Sequence, residues 1–176
     1  MEREGGQVTR FMLLLLLVFI TAGASGCSSN QGVPQWSGSG FLRKQFLDYR
    51  TVAILPFAGD DSAEVTAAFA DSFSKRFPQV SIERLRSTSD LLRGEAVKPN
   101  QLDQATRLKI GRALNADGLI LGSVYYPSIT TWYLQVEIVD TETGEMLGRS
   151  VVEINYMGAE GFRQGTRLAV EKLTLY

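Results

Sequence analysis

The chain has 176 residues, 44% hydrophobic and 21% charged, which fits one globular domain with short appendages rather than a disordered or fibrous protein. A formal net charge of −1 supplies no basic surplus to offset phosphate, so no nucleic-acid partner is expected. With no histidine and one cysteine, the chain lacks the usual metal ligands, the usual general base and any internal disulfide, so no metal, no cofactor and a fold held by its core alone are expected.

The N-terminus carries Arg3 and Arg10, then the apolar run from Phe11 to Ile20, then small residues through Gly26 up to Cys27. An apolar run on the order of ten residues falls well short of the roughly twenty needed to cross a bilayer, so the order reads as a secretory signal segment. The tetrad Ala24-Ser25-Gly26-Cys27 resembles the bacterial lipobox. That resemblance implies cleavage between Gly26 and Cys27, acylation of the Cys27 thiol and attachment of the mature chain to a membrane through its lipid. Ser28 after the cysteine, where an aspartate would retain the protein at the inner membrane, implies delivery to the periplasmic face of the outer membrane. Residues 1–26 are thus expected as leader and 27–48 as lipidated N-terminus and tether, since the stretch to about Phe41 is rich in Ser, Asn, Gln, Gly and Pro. Within it, Trp36 is a candidate for the lipid interface, and Phe41, Leu42, Phe46 and Leu47 are spaced to dock a short amphipathic helix on the domain.

The domain, residues 49–176, opens with the strand Thr51-Val-Ala-Ile-Leu-Pro-Phe57, apolar on both faces as in a sheet interior, with Pro56 at its exit. Asp61 followed by Glu64 forms the pattern of a capping box, and Val65, Phe69, Phe73 and Phe77 repeat at helical spacing until Pro78. A second strand is expected over residues 80–85, a short helical stretch near residues 89–93, and a helix from Leu102 to Asn115. Residues 118–125 form a third interior strand, parallel to the first two. Trp132, Leu134, Val136 and Ile138 alternate with polar residues, as do Val152, Ile154 and Tyr156, and the Asp140–Glu145 turn with Gly144 joins the two as an antiparallel hairpin. A last helix follows from Gly161, with Phe162, Ala169 and Leu173 on one face. The fold class is mixed α/β: five strands with helices packed on them, in the order β-α-β-α-β-β-β-α.

Two places are candidates for function. Asp60 and Asp61 follow the first strand, where open parallel sheets bind ligands, and are a candidate small-molecule or phosphoryl site; helix capping is the competing reading and the one favoured. Tyr125, Tyr126, Trp132 and Tyr133 crowd the turn between the third and fourth strands, and aromatics at such a rim are enriched in protein contacts; half-buried packing with exposed tips is the competing reading and the one favoured. Serines such as Ser62, Ser123 and Ser128 have no histidine to activate them, so the chain is expected not to be an enzyme.

The lipobox cysteine, TVAILPF opening the domain, LNADGLILGSV leading a middle strand and VEIVDTETGEML across the hairpin together resemble the lipoproteins of the CsgG, LpoB and TolB N-terminal-domain group, over roughly Arg50 to Leu173. The resemblance implies a TolB N-terminal-domain-like fold and a binding or assembly role, in secretion or cell-wall-synthase regulation, with an envelope protein or a second copy of the chain as partner. The chain lacks room for the membrane-spanning hairpins of CsgG-like pores, and its tether is shorter than that of LpoB-like activators.

Overall fold

A computed structural model describes residues 36–83, 102–155 and 158–176. The leader, Gly26 and Cys27, the expected helical stretch at 89–93 and Tyr156 lie outside the described residues. Among the described residues the sheet has six strands: β1 (Trp36–Leu42), β2 (Thr51–Ile54), β3 (Ser81–Glu83), β4 (Gly118–Tyr125), β5 (Trp132–Asp140) and β6 (Met146–Ile154). Its order is β1-β6-β5-β4-β2-β3. β2 pairs in parallel with both β3 and β4, while β4, β5, β6 and β1 form an antiparallel run. The helices are α1 (Glu64–Arg76), α2 (Gln104–Ala113) and α3 (Ala159–Glu171), and Lys44–Asp48 forms a short 3-10 helix.

The expected count of five strands is corrected by β1, which lies inside the stretch whose composition reads as tether. Its Gly and Ser residues carry little strand propensity, but seven of its residues pair in register with β6. Its end is also pinned from outside, where Leu42 N–H donates to the Thr174 carbonyl (2.7 Å) and Tyr176 N–H to that of Leu42 (2.8 Å). Leu42 and Phe46 are fully buried, so this segment docks as expected, but as strand plus 3-10 turn rather than one amphipathic helix.

Strand periodicity divides the core between the two faces of the sheet. Val52, Ile54, Ile120, Leu134, Val136, Ile138, Val152 and Ile154 face α1 and α3, where Phe46, Phe57, Phe69, Phe73 and Phe77 pack as an aromatic ladder with ring centroids 4.8–5.9 Å apart. Ala53, Leu55, Leu119, Leu121 and Val139 face the other way, under Leu102 and Ile110 at α2. The helix spacing of Val65, Phe69 and Phe73 is therefore realised as core, and the Asp140–Glu145 turn closes the β5–β6 hairpin with Gly144 at φ 77°. Among the described residues, one buried side-chain polar atom lacks a hydrogen bond, Ser150 Oγ on β6. Removing an unpaired buried hydroxyl releases its desolvation penalty. Ser150→Ala is therefore expected to match or exceed the parent in urea denaturation, and a loss above about 1 kcal/mol would mean that the hydroxyl is bonded in solution.

Opposite the rim, the Tyr49 hydroxyl donates to Asp140, whose other carboxylate oxygen accepts from Glu142 N–H (2.8 Å), Thr143 N–H (2.6 Å) and the Thr143 hydroxyl (2.9 Å). Partial burial opposes the Asp140 charge, yet these donors outweigh it and hold the carboxyl below its usual range. Burial, then Asp140, pushes the Tyr49 hydroxyl upward. Because the folded carboxyl ionises more easily than the unfolded one, its contribution is present above about pH 4 and fades as the pH falls through the folded value. The Tyr49 contribution is present below about pH 10 and fades as the pH rises further. Tyr49→Phe is thus expected to flatten the stability profile at both ends, as measured by denaturation midpoints from pH 2.5 to 11.

Candidate functional site

Three of the four rim aromatics and the Asp60–Asp61 pair come together at one end of the sheet, where β2 and β4 leave it and the β4–β5 loop projects. Pro56 ends the first strand, and after it Ala58 and Ser123 form a single parallel bridge that ties the β2 exit to β4. Gly59 then turns at φ 81°, and a Cβ there would collide with the Val124 carbonyl oxygen. This bend leads Asp60 back under the start of α1.

The Asp60 carboxylate is buried and fully used. It accepts from Thr66 N–H (2.7 Å), the Thr66 hydroxyl (2.7 Å) and Val65 N–H (3.3 Å), and the same Thr66 hydroxyl oxygen accepts from Phe57 N–H (3.0 Å). The capping box expected from Asp61 and Glu64 does not form. Ala63, in a left-handed conformation at φ 59°, precedes the helix without a side-chain cap of its own, and Asp60 supplies the carboxylate from three residues further back. Asp61 is exposed. Asp60 therefore caps α1, and among the described residues no group of three or more Asp, Glu, Cys or His side chains is placed to hold a metal ion.

The four aromatics divide. Trp132 is corrected from surface to core: it is fully buried and meets Phe162 of α3 edge-on at 5.3 Å, because it shares the inward parity of Leu134, Val136 and Ile138 on β5. Tyr125 and Tyr133 are cross-strand partners on the opposite face, Tyr125 65% exposed. Tyr126, 40% exposed, turns toward α1, where burial and then the negative field of Asp60, Asp61 and Glu64 push its hydroxyl pKa up.

Tyr133 belongs to a larger surface that sequence reasoning left unassembled. Register places Tyr125, Tyr133, Glu153 and Ser37 in one row across four strands, Ser123, Gln135, Val151 and Ser39 in the next, and Glu137, Arg149 and Phe41 in a third. All are half-buried or exposed. The Arg149 guanidinium donates to the Gln135 side-chain oxygen Oε1 (3.2 Å), and the Gln135 side-chain amide N–H to Glu137 Oε1 (3.0 Å). A hydrogen bond with Glu153 raises the Tyr133 pKa. The signal was the polar half of the strand alternation, which marks an outward face but not which strands share it.

The loop itself carries Ile129, 90% exposed. Ser128 Oγ accepts from Thr130 N–H (3.2 Å) and Thr131 N–H (3.0 Å), and the Thr131 hydroxyl donates to Asn155 (2.8 Å), so the tip is a built turn. A lone isoleucine among Ser, Thr and Pro was its sequence signature. On the helical side, α1 and α3 flank a groove of about 630 Å³, but six of its charged side chains are engaged in exposed pairs, Lys75–Asp71 (2.6 Å), Arg163–Glu160 (2.7 Å) and Arg167–Glu171 (3.7 Å), while Arg76 lies over the Phe77 ring. Such pairs each contribute little and read as a solvated helix surface.

The sequence matches no protein-family model and no curated protein. Among solved structures, the chain is similar to the PelC dodecamer from Paraburkholderia phytofirmans, with 14% identity over 82% of this chain and 99% of that one, at a TM-score of 0.53. It also aligns with the lipoprotein GNA1162 from Neisseria meningitidis (15% identity, 60% of this chain, 79% of that one, TM-score 0.48). The LpoB C-terminal domain from Salmonella enterica aligns with 13% identity over 58% of this chain and 79% of that one, at a TM-score of 0.44. The mixed α/β fold is thus shared across nearly the whole of PelC.

Proposed function

We propose that the chain is a non-catalytic lipoprotein, held through acylated Cys27 at the periplasmic face of the outer membrane, that acts as a binding and assembly module in an envelope complex for secretion or cell-wall synthesis. The observation that carries this reading is the open sheet face of β1, β6, β5 and β4, where Tyr125, Tyr133, Gln135, Arg149 and Val151 offer a half-exposed mixture of aromatic, polar and apolar groups. Tyrosine loses little conformational freedom on contact, and both tyrosine and arginine are enriched where proteins meet. The PelC structure is a dodecamer, which makes further copies of this chain one partner to be tested alongside a different envelope protein.

A photo-activated crosslinker placed at Tyr133 or Val151 in intact cells tests the assignment, with the same label at Lys75 on the helical side as control. Adducts are expected from the open face, either as multiples of the chain's own mass or with another envelope protein. Adducts from Lys75 alone would reject this face. Mass analysis of the mature protein tests the anchor independently, through an acylated cysteine at its N-terminus.

A further inference from the structure

We propose that the β4–β5 loop, with Ile129 at its tip and Tyr125 and Tyr126 beside it, seats in the interface of the bilayer to which Cys27 is attached. This rests on the reading of Cys27 as acylated and adds an orientation to it. Three observations meet here.

First, topology puts the start of β1, where the tether joins the domain, and the loop at the same end of the sheet. Trp36, the first residue of β1, pairs with Ile154, which pairs in turn with Trp132, the first residue after the loop region. Two strand spacings, roughly 10 Å, separate the point where the tether enters from the base of the loop.

Second, the tether is shorter than its composition implies, because β1 begins at Trp36. The nine residues from Cys27 reach about 30 Å at full extension, and less in any other conformation. The loop end therefore stays within reach of the headgroups, while the Asp140 turn stands a further strand length away.

Third, the loop has the chemistry of an interfacial contact. Ile129 is almost fully exposed, an arrangement that costs free energy in water, and Ser128 holds it in a defined turn. Tyrosines, apolar in the ring and polar at the tip, favour the headgroup region. Residues 125–133 contain no Lys or Arg, and Asp60, Asp61 and Glu64 stand behind Tyr126. Attraction to anionic lipid is thus absent from this loop, and the contact is apolar and insensitive to salt.

The test uses the acylated mature chain in phosphatidylcholine vesicles. Acylation occupies the thiol of Cys27, so an environment-sensitive fluorophore can be attached uniquely at Thr130→Cys, next to the intact Ile129. Leu175→Cys is the control, because Leu175 is also exposed and apolar but bridges to Leu42 at the far end of β1. The Thr130 label is expected to shift to the blue and to be quenched by bilayer-embedded nitroxides at least threefold more than the Leu175 label, equally at low and high salt. Ile129→Asp is expected to remove that difference while far-ultraviolet circular dichroism stays unchanged. Equal quenching at the two ends, or protection of the Thr130 label only after envelope protein is added, would overturn the loop assignment with the anchor intact. A free Cys27 thiol in the mass spectrum would instead overturn the anchor reading, and the orientation with it.

Discussion

Trp132→Ala is expected to lower the unfolding free energy by about 3–5 kcal/mol, a large share of the total for a domain of this size. The indole is fully buried between β5 and α3, edge-on to Phe162, and it shares its cross-strand row with Ile154 and Trp36. Gly165 shows how little slack surrounds it: a single Cβ on that residue would lie 2.7 Å from the ring. Truncation therefore leaves a cavity that a six-stranded sheet and a pinned helix are poorly able to close. Urea denaturation followed by circular dichroism reads the effect, and Trp132→Phe should recover part of it. A change below about 1 kcal/mol would return Trp132 to the surface and reopen its role in partner contact.

For Asp60→Ala the expected loss is about 2–4 kcal/mol, because the substitution strands two buried donors of Thr66 and uncaps α1 in one step. Asp61→Ala, one position further on and exposed, should stay within about 0.5 kcal/mol of the parent. The contrast separates the two meanings of an aspartate at a strand exit. A ligand-binding carboxylate removed from an empty site relieves repulsion and tends to stabilise, whereas a cap removed from a helix destabilises. If Asp60→Ala proved neutral in denaturation or raised the midpoint, the capping assignment would fail and a ligand at this loop would regain support.

How far the fold could be read in advance depended on whether the signal was carried by spacing. The four-residue repeat of Val65, Phe69, Phe73 and Phe77 and the two-residue alternation of β5 and β6 each identify an element and its buried side at once. Trp132 was legible by the same rule, since it has the parity of Leu134; local crowding of aromatics around the turn pointed the other way, and parity prevailed. β1 was not legible. Its Ser-Gly-Ser-Gly centre has neither bulk nor alternation, and its strand conformation depends on hydrogen bonds to β6 that close a contact more than a hundred residues away. The cap of α1 was misassigned by one residue because the left-handed Ala63 moves the capping carboxylate upstream of the usual spacing.

The amino-acid order by itself determined the helices, the interior strands and the face of each that meets the core, because apolar periodicity is a property of the chain and survives any arrangement of neighbours. Tertiary structure alone decided which outward faces adjoin. It joined Tyr125, Tyr133, Arg149 and Val151 into one surface and set the start of β1 beside the base of the Ile129 loop, because strand order and register are fixed by pairing between distant segments, and no local pattern encodes them.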